Sequence, residues 1–148
     1  MIHSTPVQGH NFELLAALSA AGLPIEDLEE EGRSFFQFEE DGVPIGFGGF
    51  EPYGEDTLVR SIVVMPEFRG TGAGRRITEA LLEEAEKAGA RTAYLLTTTA
   101  SGFFARLGFS AEDRSQAPAS ILATRQAASI CSTAALLCRP IKAPDVHL

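Results

Sequence analysis

Val59-Arg60-Ser61-Ile62-Val63-Val64-Met65-Pro66-Glu67-Phe68-Arg69-Gly70-Thr71-Gly72-Ala73-Gly74-Arg75-Arg76 opens as a run of β-formers and is closed by a proline. Glycines at alternate positions follow, flanked by Arg69 and the pair Arg75-Arg76. Behind them Ile77, Leu81, Ala85 and Ala88 recur at helical spacing, so a helix opens at the glycines. A strand, a glycine turn and a helix N-terminus together make an anion site. The first N–H groups of the helix lack internal partners, and its dipole favours negative charge there. Glycines at 70, 72 and 74 let a phosphate approach the backbone without interference from a Cβ.

The kind of phosphate loop follows by comparison. A Walker loop ends in Gly-Lys-Ser/Thr, which is missing here. A dinucleotide fingerprint needs its third glycine one place later and an early strand in a βαβ unit, whereas this loop follows a strand-rich segment in mid-chain. Arg-x-x-Gly-x-Gly after Val-x-Pro-Glu-Phe resembles the pyrophosphate loop of the GNAT superfamily of acetyl-CoA-dependent N-acetyltransferases. Ala100-Ser101-Gly102-Phe103-Phe104-Ala105-Arg106-Leu107-Gly108-Phe109 is similar to a second element of that family, Ala-x-x-Phe-Tyr-x-x-x-Gly-Phe. The two occur in the family's order, about one helix and one strand apart.

The chain of 148 residues is expected to form one domain with a core of its own, roughly from residue 10 to 140. Its net charge of −8 argues against nucleic-acid binding, which needs a basic stripe to neutralise phosphates. No apolar run approaches the length of a membrane span, and Met1 to Pro6 lacks the layout of a signal peptide. A soluble cytoplasmic protein is the expectation. An acidic protein that takes an anionic co-substrate must concentrate positive charge locally, and Arg69, Arg75 and Arg76 do so. Cys131 and Cys138 are too few for a disulfide framework, and His3, His10 and His147 complete no metal-ligand spacing, so no metal is expected.

In chain order, residues 11 to 21 read as an amphipathic helix capped by Asn11 and stopped by Gly22, with Leu14, Leu15 and Leu18 on its apolar face. Pro24 to Glu31 reads as a short helix or turn whose acidic run forms a solvated face. Ser34 to Glu39 is a strand, Asp41-Gly42 a hairpin turn, and Val43 to Phe50 the returning strand, thinned by Gly46, Gly48 and Gly49. Thr57 to Val64 completes a meander. A helix from Gly72 to about Ala88, capped by Gly89, leads to a strand over Thr92 to Leu96. A short helix near Phe103 to Arg106, one helix over Pro118 to Ile130, and a last strand over Ala134 to Arg139 complete the order. The class is α+β, a mixed, largely antiparallel sheet flanked by helices, which matches the GNAT-like acyl-CoA N-acyltransferase fold.

The resemblance implies acetyl-CoA as co-substrate, its pyrophosphate over Arg69, Gly70, Thr71, Gly72, Ala73, Gly74 and Arg75. Val63 and Val64 would offer backbone bonds to the pantetheine arm, with a backbone N–H near Val64 stabilising the oxyanion. Thr99, Phe103 and Phe104 would line the thiol end. The family's usual acid is a tyrosine at position 104, where this chain has Phe104, so Thr99, Ser101 and water are the other candidates. By position, Glu51, Glu55 and Asp56 are candidate bases. Arg60 and Ser61 complete the candidate catalytic set, Arg60 being suited to hold a substrate carboxylate, phosphonate or arsonate.

A narrower resemblance points to the arsenic-resistance branch of the family. Its marks are Thr97-Thr98-Thr99 before Gly102-Phe103-Phe104, then Arg114 and Pro118, then Thr124, Arg125 and Cys131. Ala127 stands where that branch has an aromatic, and Ser132 where it has a proline. It implies an amine-bearing organoarsenical, or phosphinothricin, as acceptor. Three functions stay open: a small-molecule N-acetyltransferase, which the two motifs favour, a degenerate acetyl-CoA-binding sensor, and a thiol-based arsenic-binding protein using Cys131 and Cys138. A homodimer is left open as well.

Overall fold

A computed structural model describes residues 1–130 and 133–141. In chain order it contains β1 (Ile2–Val7), α1 (Phe12–Ala20), β2 (Ser34–Glu40), β3 (Val43–Tyr53), β4 (Asp56–Val64), α2 (Ala73–Lys87), β5 (Thr92–Thr97), α3 (Ser101–Ala105), β6 (Ser110–Ala111), α4 (Ala119–Leu122) and β7 (Ala135–Pro140). Short 3₁₀ turns cover Pro66–Phe68 and Arg114–Gln116, and a π-helical turn covers Gln126–Ile130. Hydrogen-bonded strand neighbours follow the order β1-β2-β3-β4-β5-β7-β6 among the described residues. The class is the α+β mixed sheet with helices that the sequence leads one to expect.

The contacts divide the chain into two compact units, Met1–Glu51 with Val59–Glu84, and Pro52–Leu58 with Ala85 onward. In the first, β1 and β3 flank β2 in antiparallel register, Ile2 facing Glu40 and Ser34 facing Phe50. Asp41 (φ 51°) and Gly42 (φ 78°) turn the β2–β3 hairpin with the two left-handed residues that match strand twist. Leu14, Leu18, Leu28, Phe35, Phe47 and Val63 form its buried core. Asn11 Oδ1 accepts the Leu14 N–H at 2.9 Å, the expected N-cap, and Gly22 ends the helical stretch at φ 72°.

The glycines of β3 explain how the core closes. A Cβ on Gly46 would collide with the Val63 carbonyl oxygen and lie 2.6 Å from Ile77 Cδ1. One on Gly48 would lie 2.9 Å from Leu81 Cδ2. Ile77 and Leu81 are fully buried residues of α2, so bare backbone in β3 is what lets the helix and β4 approach it.

In the second unit the first residues of β4 pair in parallel with β5, Asp56 to Leu58 against Thr92 to Tyr94. β7 pairs antiparallel with β5 and with the short β6. Leu58, Tyr94, Ile121 and Leu136 form this unit's core.

Four features differ from the expectation. β1 was not foreseen, because Pro6 and the polar His3-Ser4-Thr5 lower its strand signal; an edge strand tolerates both. β6 is two residues long and carries no periodicity. The helix expected over Pro118 to Ile130 is broken. Thr124 donates its hydroxyl to the Ile121 carbonyl at 2.7 Å and accepts the Ala127 N–H at 3.1 Å, competing with the helical ladder. Finally, the stretch Pro24 to Glu31 is not all solvated: Glu29, Glu30 and Glu31 are exposed, but Asp27 is wholly buried.

Candidate active site

The glycine loop has the form its sequence suggests. After β4, Pro66–Phe68 makes one 3₁₀ turn, Gly70 and Gly72 take φ of 79° and 83°, and α2 starts at Ala73. Both left-handed positions suit glycine and strain other residues. The three arginines divide by role. Arg76 donates to both carboxylate oxygens of Glu40, at 2.6 and 2.9 Å, and to the Thr71 carbonyl at 3.0 Å. It braces the loop from the β2–β3 hairpin. Arg69 and Arg75 are exposed and show no ion pair among the described residues. Thus the local positive charge comes from Arg69, Arg75 and the backbone amides at the start of α2.

Upstream on β4 lies a buried charge cluster whose extent the sequence did not reveal. Arg60 has no exposed side-chain surface. Its guanidinium donates to Asp27 Oδ1 at 2.6 Å, to Asp27 Oδ2 at 2.7 Å and to Glu51 Oε2 at 2.7 Å. Its Nε donates to Ser61 Oγ at 3.1 Å. Arg33 joins from the start of β2, donating to Asp27 Oδ2 at 3.0 Å and to the Glu31 carbonyl at 2.7 Å. Its Nε lies 3.9 Å from Glu51 Oε2 and has no hydrogen-bond partner. Two guanidinium groups thus face two buried carboxylates, whose charges cancel, and the exposed Glu30 lies 3.5 Å from Arg33 at the edge of the cluster. Burial would push the Asp27 carboxyl up, but the bonds and charge of Arg60, then of Arg33, outweigh it and hold its pKa at about 2. Burial likewise opposes the Arg60 charge, and Asp27 and then Glu51 raise its pKa above the ordinary arginine value.

The structure therefore brings the candidate residues Glu51, Arg60 and Ser61 together, with Asp27 and Arg33 as partners. Glu51 is wholly buried and bound to Arg60, and the Arg60 fork is occupied by the protein's own carboxylates. Ser61, half-buried, has φ 59° within β4. A left-handed residue that is not glycine costs about 1–2 kcal/mol. Before it the strand is covered on both faces: Thr57, Leu58, Val59 and Arg60 are buried in succession. Val63 is buried beyond the bend and Val64 is half-buried, where the strand ends.

The remaining candidates lie in the second unit. The Ala100 N–H donates to Thr97 Oγ1 at 2.9 Å, so the threonine run forms a side-chain-capped turn with Thr98 and Thr99 exposed. Phe104 is buried edge-on between Phe103, 5.0 Å between ring centroids, and Phe109, at 5.7 Å. Glu55 is exposed; Asp56 has its pKa raised by partial burial and then by the Glu55 charge. Arg114 donates to the Ala127 and Ala134 carbonyls, both at 2.9 Å, and ties the π-helical turn to the approach of β7. Cys138 is half-buried with its Sγ 3.9 Å from Glu112 Oε2, and burial, then that carboxylate, push its thiol pKa up. Cys131 and Ser132 lie outside the described residues.

Comparison with known proteins bears on the family and the fold. The model of the acetyltransferase (GNAT) family matches residues 7–109. An amino-acid acetyltransferase of Vibrio cholerae is 28% identical over 111 residues, covering 71% of this chain and 25% of its own. The chain thus spans about a quarter of that relative's length. Among solved structures, N-acetylglutamate synthase of Neisseria gonorrhoeae, in complex with coenzyme A and N-acetyl-glutamate, superposes with a TM-score of 0.78 at 17% identity, over 97% of this chain and 36% of its own. A GNAT acetyltransferase of Staphylococcus aureus superposes at 0.71 and 16% identity, over 96% of this chain and 100% of its own. With the glycine loop between β4 and α2, the Phe103-Phe104 element after β5 and a family match over most of its length, the chain belongs to the GNAT family of acetyltransferases.

Proposed function

We propose that the protein transfers the acetyl group of acetyl-CoA to the amine of a small, amino-acid-like acceptor. The observation that carries this reading is the loop at Gly70 and Gly72. Two left-handed glycines precede a helix N-terminus and two unpaired arginines flank it, a cradle suited to a pyrophosphate. The acceptor class is supported by the amino-acid acetyltransferase relative and by the synthase that holds N-acetyl-glutamate. Phosphinothricin and amine-bearing organoarsenicals fall within that class, and the Thr97-Thr98-Thr99 and Thr124-Arg125 resemblance favours including them.

The reaction is direct attack. The acceptor's ammonium first gives up a proton to water or a base, and its nitrogen then bonds to the thioester carbonyl carbon. A backbone N–H at the end of β4, near Val64, receives the oxyanion. The C–S bond breaks as the carbonyl reforms, and the thiolate takes a proton. Phe104 has none to give, so that proton comes from water or another group. Glu51 is tied to Arg60 and is poorly suited as the base. Much of the acceleration comes from holding both reactants together.

The test is release of free coenzyme A thiol from acetyl-CoA across a panel of amino acids, phosphinothricin and an aromatic organoarsenical amine. Turnover is expected with at least one α-amino acid. Saturable acetyl-CoA binding with no turnover on any amine would replace this reading by that of a sensor.

A further inference from the structure

We infer that Arg60 is a positioning residue: by linking Asp27 and Glu51 to Ser61, it holds the bend in β4 that aims Val63 and Val64 at the acyl group. This role rests on the acetyl transfer proposed above.

Three observations carry it. First, Ser61 is left-handed inside a strand, at φ 59°. The other non-glycine residue with positive φ among the described residues, Asp41, sits in a hairpin turn, where that conformation is ordinary. A strained residue in a strand persists when its surroundings over-determine it. Second, the group that touches the Ser61 side chain is the Arg60 Nε, at 3.1 Å. Third, that guanidinium cannot swing away, because its other nitrogens are fixed on Asp27 from the α1–β2 connection and on Glu51 from β3. The three segments thus converge on one planar fork, and rigid bidentate donors are what arginine offers and lysine lacks. Two residues past the bend, Gly46 abuts the Val63 carbonyl, and the Met65 N–H donates to Ile45 at 2.8 Å. β4 is therefore pinned on both sides of Ile62. A charge cluster that served stability alone would need the ion pairs but not the bond to Ser61.

The test compares wild type, Arg60→Lys and Arg60→Lys/Ser61→Gly in the full chain, by amide hydrogen exchange of Val63 and Val64 in NMR and by steady-state kinetics. Lysine keeps the charge between the carboxylates and drops the fork and the Nε. Exchange at Val63 and Val64 should quicken by about tenfold or more, with Leu15 of α1 within about twofold of wild type. The kcat should fall about tenfold with the acetyl-CoA KM within about threefold, as for an interaction made in the transition state. Ser61→Gly, which permits the left-handed backbone without support, should recover most of both losses in the lysine background. Unchanged exchange at Val63 and Val64, or a loss that glycine does not recover, overturns the inference. Should Arg60→Lys not fold, Ser61→Ala removes the hydroxyl and leaves every ion pair; exchange like wild type in that variant overturns it equally. A wild type without any turnover would refute the proposed reaction, while the exchange data still decide whether Arg60 holds the bend.

Discussion

The α-carbon of Gly46 faces the carbonyl oxygen of Val63 so closely that any Cβ there would overlap it. The contact joins β3 to the end of β4, next to the segment proposed to bind the acyl arm. Neither chain segment can give way easily, since the obstacle is backbone and not the tip of a side chain.

Gly46→Ala should accordingly cost about 1–3 kcal/mol in chemical denaturation and abolish acetyl-CoA binding. Gly48→Ala meets the flexible tip of Leu81 instead, at 2.9 Å, and should cost less. Equal stability loss in the two variants, measured by urea titration, would refute the assignment.

The Asp27 carboxyl sets an acid limit. Its folded pKa of about 2 lies below the ordinary 3.8, so its stabilisation is complete above about pH 4 and is lost as pH falls through 2. That difference is worth about 2 kcal/mol. Asp27→Asn should lower stability at pH 7 by about 3–5 kcal/mol, because it leaves the buried Arg60 and Arg33 guanidinium groups with Glu51 as the one buried carboxylate to balance them. It should also flatten the stability profile between pH 4 and pH 2. A profile in that window as steep as that of wild type would show that other carboxylates set the limit.

At the glycine loop, acetyl-CoA should raise the Tm of wild type but not of Gly72→Val. Valine at φ 83° is strained, and its Cβ would lie 3.1 Å from the Arg76 guanidinium that braces the loop. Thermal shift with and without acetyl-CoA decides the matter: equal protection of both proteins would remove the pyrophosphate from this loop.

Phe104→Tyr would supply the phenol that the family resemblance puts at this position, the proton donor of the proposed reaction. The kcat should rise with little change in the acetyl-CoA KM, toward the 10²–10⁴-fold range of a well-placed general acid if none acts now. A tenfold or greater fall in kcat at unchanged Tm would mean that the phenyl ring itself, set between Phe103 and Phe109, is required.

What the sequence discloses here is what is local in the chain. The glycine loop, the Asp41-Gly42 hairpin and the Asn11 cap each depend on residues within a turn of one another, and their side chains name the backbone conformation. The Asp27–Arg60 pair spans 33 residues, and Asp27 sits among four glutamates that look alike in composition. Only the fold selects the one member of that run that goes inside. The bend at Ser61 was invisible for a related reason, since serine has no preference for left-handed backbone and neighbouring residues read as plain strand. Thr124 broke the expected helix through its hydroxyl, a competition that apolar spacing does not register.

The cancellation of charge in the buried cluster has an evolutionary consequence. Positions 27, 33, 51 and 60 carry two positive and two negative groups that are costly singly and tolerable together. Single substitutions at these sites pass through an unbalanced intermediate, so selection should keep or exchange the four as a block. Descendants of this chain would then fall into two groups, those retaining the whole set and those that have replaced it by apolar residues, with few sequences in between.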